Sequence, residues 1–475
     1  MYLHPMKNAL LLLSALAAFT MCQTSKNNSP NGGDTDAAAR YATLCASCHG
    51  EQGAGFVSRS WKHGSTKPDV VKMISVGNLE GGMPGFGATL KPAEIEALAD
   101  YVLDAPSRAD RYDFAESNAP KSNIFKSSSM TVRLDTVLRG IGSPWGLAFL
   151  PNGDMLCTER GGVLYRLAPG GQPRPVAGVP PVLAEGQGGL LDVELHPKFA
   201  ENSLIYLSYS KFRDSSGSRY NTTAVFRARL DGDRLVDGRD IFVARPWSRT
   251  TYHFGSRLEF DRAGYLFVTV GERNERDKHP QSLDSDCGKI HRMRDDGTAL
   301  PDNPFAKTHP AHATIWSWGH RNPQGLAMQP ETGEMWAHEH GPRGGDEVNR
   351  ILPGRNYGWP VITYGINYNG TIITTLTAQE GMEQPLKYWV PSIAPCGMVF
   401  VTGDRYPAWS GDLLVGSLRF KYLDRCIVRN GQITGDELLL QNLGRLRCVA
   451  MDREGYLYVG VEEPGFVFKL VPVAQ

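Results

Sequence analysis

The chain has no excess of charge of either sign: lysine plus arginine total 50 and aspartate plus glutamate total 50 in 475 residues. No basic block marks a phosphate-tracking surface, so nucleic acid is not expected as a partner. Long apolar runs are missing too. The nearest approach, Ala9 to Phe19 behind Lys7, has the length of an export-signal core and is too short to span a bilayer as a permanent helix. Cysteine is scarce, with 8 residues. Setting aside Cys22, Cys45 and Cys48 leaves Cys157, Cys287, Cys396, Cys426 and Cys448, an odd set that cannot pair completely, although an oxidising compartment allows one bridge. Helical patterns are rare after Leu103, whereas glycine reaches 52 and proline 31, which favours short strands and turns.

Residues 1–22 read as an export signal and 23–36 as a polar tether, which predicts an exported, periplasmic protein. Two processing routes are open. Ala15-Leu16-Ala17 fits an ordinary cleavage site, while Cys22 ahead of a polar tail resembles a lipoprotein start that would anchor the chain to a membrane, despite Thr20-Met21 where small residues are usual. Residues 37–106 form the first folded unit. Its signature, Cys45-Ala46-Ser47-Cys48-His49, spaces two thiols for one porphyrin and places a histidine to ligate the iron. A helical lead-in (Ala37, Tyr41, Leu44, Cys48) and a closing helix begun by Pro92, with Ile95, Leu98 and Val102 on one face, complete a unit that resembles a small all-α class I cytochrome c carrying haem c. By that resemblance Met83, in the glycine-rich loop 81–87, matches the sixth iron ligand; Met73 and His63 are the alternatives. Residues 107–130, rich in serine, asparagine and charge, read as a linker.

From 131 to 475 one pattern recurs: an apolar strand, a turn and a second apolar strand. Its six copies start near Gly146, Leu190, Leu258, Leu326, Met398 and Val449, which predicts an all-β six-bladed propeller. Gln187, His253, Arg321 with Asn322, Ser392, and Arg445 with Arg447 stand at the opening of successive copies. Equivalent register in a ring would bring them to one end of the central axis, a pocket of one base, amides and cationic forks suited to an anionic, carbonyl-rich ligand.

The stretch from Gly319 to Trp359 brackets a short strand with two turn-rich segments. Together with Gly186–Leu191, His253-Phe254-Gly255, Glu339–Asn349 and Asn356–Pro360, it resembles the glucose/sorbosone dehydrogenase family, in particular the aldose sugar dehydrogenase branch. The resemblance implies oxidation of a sugar or related polyol by hydride transfer to pyrroloquinoline quinone (PQQ), with electrons passing to the haem and on to a downstream acceptor such as a cytochrome or a respiratory-chain component. It implies His253 as general base; Arg321 and Asn322 on the quinone carbonyls; Gln187 in the pocket; Arg445 and Arg447 on the cofactor carboxylates. Gly341 and Pro342 would give carbonyls to the cofactor calcium, and Glu347 and Tyr357 would hold a structural calcium. Four positions depart from the glucose-oxidising branch: Glu272 replaces an aspartate near the base, Arg419 a lysine at the quinone, Val390 a tryptophan beside the sugar, and Tyr252 an acidic residue. They put the sugar in question more than the reaction. His338 and His340 alternate as zinc ligands would, with no third ligand evident nearby. The rival reading is a propeller that only binds carbohydrate or protein, and the fused haem unit argues against it.

Overall fold

The computed structural model describes residues 34–45, 49, 56, 63–78, 83–105, 120, 122–368, 371–462 and 465–473; the export signal, Cys22 and Cys48 lie outside them. Among the described residues, three helices appear in the first unit: α1 (Asp34–Leu44), α2 (Lys67–Val76) and α3 (Pro92–Leu103). Thr66 caps α2 through a reciprocal bond pair with Asp69, and Pro92 supplies the preset φ that starts α3. Ala37 and Tyr41, Val70 and Ile74, and Ile95, Leu98 and Val102 meet in one core. Leu44, expected on the buried face, is 38% exposed instead, because it sits at the end of α1 where the chain turns at Cys45.

Beyond this unit stand six antiparallel sheets. Their innermost strands are Pro144–Phe149, Leu190–Leu195, Gly255–Phe260, Pro323–Met328, Pro395–Phe400 and Arg445–Met451, and each adjoins the next in a closed ring. These are the six repeats read from the sequence, one per blade. The last blade is completed from the front of the chain: Thr131–Arg139 pairs with Phe466–Val473, and Ile124–Lys126, from the stretch read as linker, adds a fifth strand. Val132, Leu134 and Leu138 are buried in that closure, each contributing about 1.5–3 kcal/mol by leaving water.

One side chain crosses the axis. Arg257 donates from Nε to the Gln324 carbonyl (2.8 Å), from Nη1 to the Trp145 carbonyl (3.2 Å) and Asp192 Oδ1 (3.0 Å), and from Nη2 to the Arg447 carbonyl (3.1 Å). It therefore ties its own blade to four others and separates the two ends of the channel. All five cysteines of the propeller are buried and unbridged, so the one bridge that composition allowed is not formed there.

Candidate active site

At the end of the channel where the inner strands begin, His253 occupies a left-handed turn (φ +53°) ahead of Gly255. Such a φ is uncommon for a residue with a side chain and marks a conformation imposed by its surroundings. The surroundings are specific. The His253 backbone N–H donates to Gln187 Oε1 at 2.8 Å, and its Nδ1 lies 2.6 Å from Glu272 Oε1. Glycine is required at 255, where a Cβ would stand 2.8 Å from the Gly271 nitrogen. Burial holds His253 well below the ordinary imidazole range, reinforced by the Arg321 and Arg273 charges. Burial also pushes the Glu272 carboxyl up to about 7. With Nδ1 engaged by the carboxylate, Nε2 is the nitrogen free to take a proton.

Arg321 and Asn322 stand beside this pair. The Arg321 backbone N–H donates to Glu339 Oε2 (2.5 Å), and its Nη1 donates to the carbonyls of His340 (3.0 Å) and Gly341 (2.7 Å). Asn322 Oδ1 accepts from the Gly255 N–H at 3.1 Å. What remains of the two is informative: Arg321 Nε and Asn322 Nδ2 are buried donors with no partner, as is Glu272 Oε2 among the acceptors. Unmet buried polar groups cost about 1–3 kcal/mol each, so their clustering is the mark of a site awaiting a carbonyl-rich ligand.

Arg447 lies near enough that burial, then the Arg321 and Arg447 charges, bring His340 down to about 3. Glu462 organises the arginine pair, accepting from Arg447 Nε (2.6 Å) and Arg445 Nε (3.2 Å). Burial opposes the charge on Glu462, yet the Arg447 and Arg445 charges and the Arg447 and Ser143 hydrogen bonds hold it down at about 2. Two further expected pocket residues have partners within the protein. The Ser392 hydroxyl donates to Asp346 Oδ2 (2.6 Å) and so ties a loop instead of offering a free donor, because Asp346 is buried and must be satisfied. Arg419 is half-buried with its guanidinium over the Phe420 ring (5.1 Å).

The glycine loop after His340 is an oxygen-lined cradle. Asp346 Oδ1 accepts from the Gly341 N–H (2.7 Å), and a Cβ at Gly341 would come within 2.4 Å of the carbonyls of Gly344 and Gly345. Hard oxygen donors packed without side chains fit a calcium ion. Glu347 and Tyr357 border a second small cavity, about 10 Å³, together with Glu339. Burial, and then the nearby Glu339, pushes the Glu347 carboxyl up to about 8, and Arg321 lines the same space. The Tyr357 hydroxyl points away, accepting from the Leu352 N–H (2.8 Å), which leaves its main chain for that cavity. His338 and His340 do not form a metal pair: each Nε2 meets a carbonyl of the next blade, Gly397 (3.4 Å) and Pro395 (2.7 Å). Among the described residues, no three His, Cys, Asp or Glu side chains are grouped to hold a metal.

In the helical unit, the His49 ring stacks on Phe56 at 4.7 Å, and the Met83 and Asn78 backbones bond reciprocally at 2.9 Å. Asn78 Nδ2 also meets His63 Nε2 at 3.2 Å, so Met83 and His63 both contact Asn78, while Met73 lies within α2.

Several participants escaped the sequence reading. Trp359 lies under Arg321 (5.3 Å) and lines a cleft of about 410 Å³ with Glu272, Asn274, Arg276 and Asn367. Arg273 stacks over Phe254 (3.6 Å), and Gln324 accepts from Arg447 (3.1 Å). Trp359 and Gln324 carried a signal, as parts of the Asn356–Pro360 motif and of the stretch from Gly319 to Trp359.

Comparison with known proteins agrees with this geometry. Residues 141–469 match the family described as Glucose / Sorbosone dehydrogenase, and residues 33–102 match that described as Cytochrome C oxidase, cbb3-type, subunit III. The chain is 44% identical over 359 residues to aldose sugar dehydrogenase YliI of Escherichia coli, covering 74% of this chain and 96% of that protein. The crystal structure of the apo form of the soluble E. coli aldose sugar dehydrogenase superposes with a TM-score of 0.69 at 43% identity, covering 72% of this chain and 100% of that one. The PQQ-bound aldose sugar dehydrogenase of Streptomyces coelicolor does so with a TM-score of 0.60 at 28% identity, covering 73% and 99%. The chain thus belongs to the glucose/sorbosone dehydrogenase family, and its N-terminal region carries a cytochrome c domain.

Proposed function

We propose that the protein oxidises aldose sugars or related polyols, with His253 as general base, and delivers the electrons to its own haem. The observation that carries this reading is the buried His253–Glu272 pair beside the unpartnered donors of Arg321 and Asn322. PQQ, when bound, supplies a two-electron carbonyl acceptor. Toward it, Arg321 Nε and Asn322 Nδ2 would donate to carbonyl oxygens, Arg447 and Arg445 would meet carboxylates, and the carbonyls of the 341–345 loop would hold a calcium ion. His253 takes the sugar hydroxyl proton at Nε2, while Glu272 fixes the ring by accepting from Nδ1. Trp359 and the 410 Å³ cleft border the position of the sugar. Haem c, when attached through Cys45 and Cys48, supplies a one-electron relay, with His49 and Met83 as iron ligands. The export signal directs the protein to the periplasm, where such haem attachment takes place, and Cys22 is the residue a lipid anchor would use if the lipoprotein route is taken.

The test adds PQQ and calcium to the purified chain and screens aldoses with a phenazine dye. Sugar-dependent dye reduction is expected, and none with any sugar would return the protein to the class of binding propellers. Met83→Ala should abolish the sulfur-to-iron charge-transfer band while the porphyrin stays attached; a band that survives would move the ligand to Met73, whereas no band in the unaltered chain would point to His63.

A further inference from the structure

Ala105, just past the end of α3, is fully buried, and the residues packed on it come from both units: Phe56 from the helical unit and Val390 from the propeller. Each end of this contact leads to a reactive centre. On one side the Phe56 ring stacks on His49, the histidine of the haem-attachment motif, at 4.7 Å. On the other, Val390 lies directly over Gly344, where a Cβ would come within 3.1 Å of its Cγ1, and Trp389 before it accepts from the Gly345 N–H at 2.8 Å. Gly344 and Gly345 belong to the loop whose Gly341 carbonyl takes the Arg321 guanidinium at 2.7 Å.

We propose that the Phe56–Ala105–Val390 contact is the electron-transfer seam of the chain, seating the haem unit on the rim of the quinone pocket with Phe56 as the bridge from His49. The inference rests on the dehydrogenase reading above. Each sugar oxidised leaves two electrons on the bound cofactor, whose two protons go to water. The electrons cross the seam singly; each reduces the haem iron from ferric to ferrous, and an external one-electron acceptor returns it to ferric before the second follows. The contact is small and apolar, which suits a docking surface that tethering keeps populated instead of a large permanent interface.

Two measurements on the full, haem-loaded chain test it. In the quinone-free protein, the Ala105→Cys, Val390→Cys double variant should form a disulfide on mild oxidation, mapped by mass spectrometry. In the PQQ-loaded protein, Ala105→Glu should slow sugar-driven haem reduction in stopped flow by roughly tenfold or more, since it weakens the docked state that tethering supports, while phenazine-linked turnover stays unchanged. Absence of the engineered bridge, or haem reduction in Ala105→Glu as fast as in the unaltered chain, would overturn the seam alone. Lack of dye reduction by any sugar in the unaltered chain would remove the electron source and sink both readings. If Ala105→Glu does not fold, the cysteine pair still decides.

Discussion

Two buried arginines lie along the propeller axis, and they differ in one respect. Arg257, midway, has every guanidinium nitrogen bonded, to three carbonyls and a carboxylate on neighbouring blades. Arg321, at the His253 end, has Nε buried without a partner, beside the equally unpartnered Asn322 Nδ2 and Glu272 Oε2. Both ends of the channel hold acids and cations. The far end holds a cavity of about 390 Å³ lined by Asp192, Glu194, Glu259 and Arg257, none of which has a buried side-chain polar atom without a partner. Charge and volume are therefore alike at the two ends, and what differs is that unmet donors and an unmet acceptor stand together beside His253.

The sharpest test of this contrast removes the satisfied arginine. Arg257→Met should cost about 3–5 kcal/mol of stability in denaturant unfolding of the haem-loaded chain, since Asp192 is left as a buried acid without its counter-ion. A loss below 1 kcal/mol would show that Arg257 is not the tie between blades. His253→Ala at the other end should do the reverse: nearly unchanged unfolding, with dye-linked turnover reduced by roughly a hundredfold or more. Near-normal turnover with saturating cofactor would assign proton removal to another residue.

The pH dependence is smaller and sharper. Glu272, pushed up to about 7, must be ionised to accept from Nδ1; once protonated, it donates there instead and places the proton of the neutral ring on Nε2. Turnover should accordingly be full above about pH 7 and decline as the pH falls through that value, with the pair titrating as a unit. Glu272→Gln should remove this inflection, and an unshifted inflection in that variant would place the controlling proton elsewhere. The smallest effect is expected at Asn322→Ala, which deletes one donor to the cofactor and should weaken PQQ binding by up to about tenfold, as the loss of a single hydrogen bond does. Unchanged affinity would show that Nδ2 meets something other than the quinone.

The sequence by itself determined the six repeats, the helical unit and the haem-attachment motif, because alternation of apolar residues, turn glycines and CxxCH spacing are local and survive without knowledge of closure. It also named His253, Arg321 and Asn322, since each opens an inner strand in the same register, and Glu272 through the family resemblance, and the structure brings these four together. Tertiary structure alone decided which groups are satisfied. The Ser392 hydroxyl goes to Asp346, 46 residues away; Glu462 holds both arginines; and Arg257 reaches Arg447, 190 residues along the chain. The same holds for the unbridged cysteines and for Ala105 against Val390. The physical reason is one of range. Strand patterns follow from neighbours two residues apart, whereas a hydrogen bond across the axis exists only once six blades have closed and fixed which side chains share the interior.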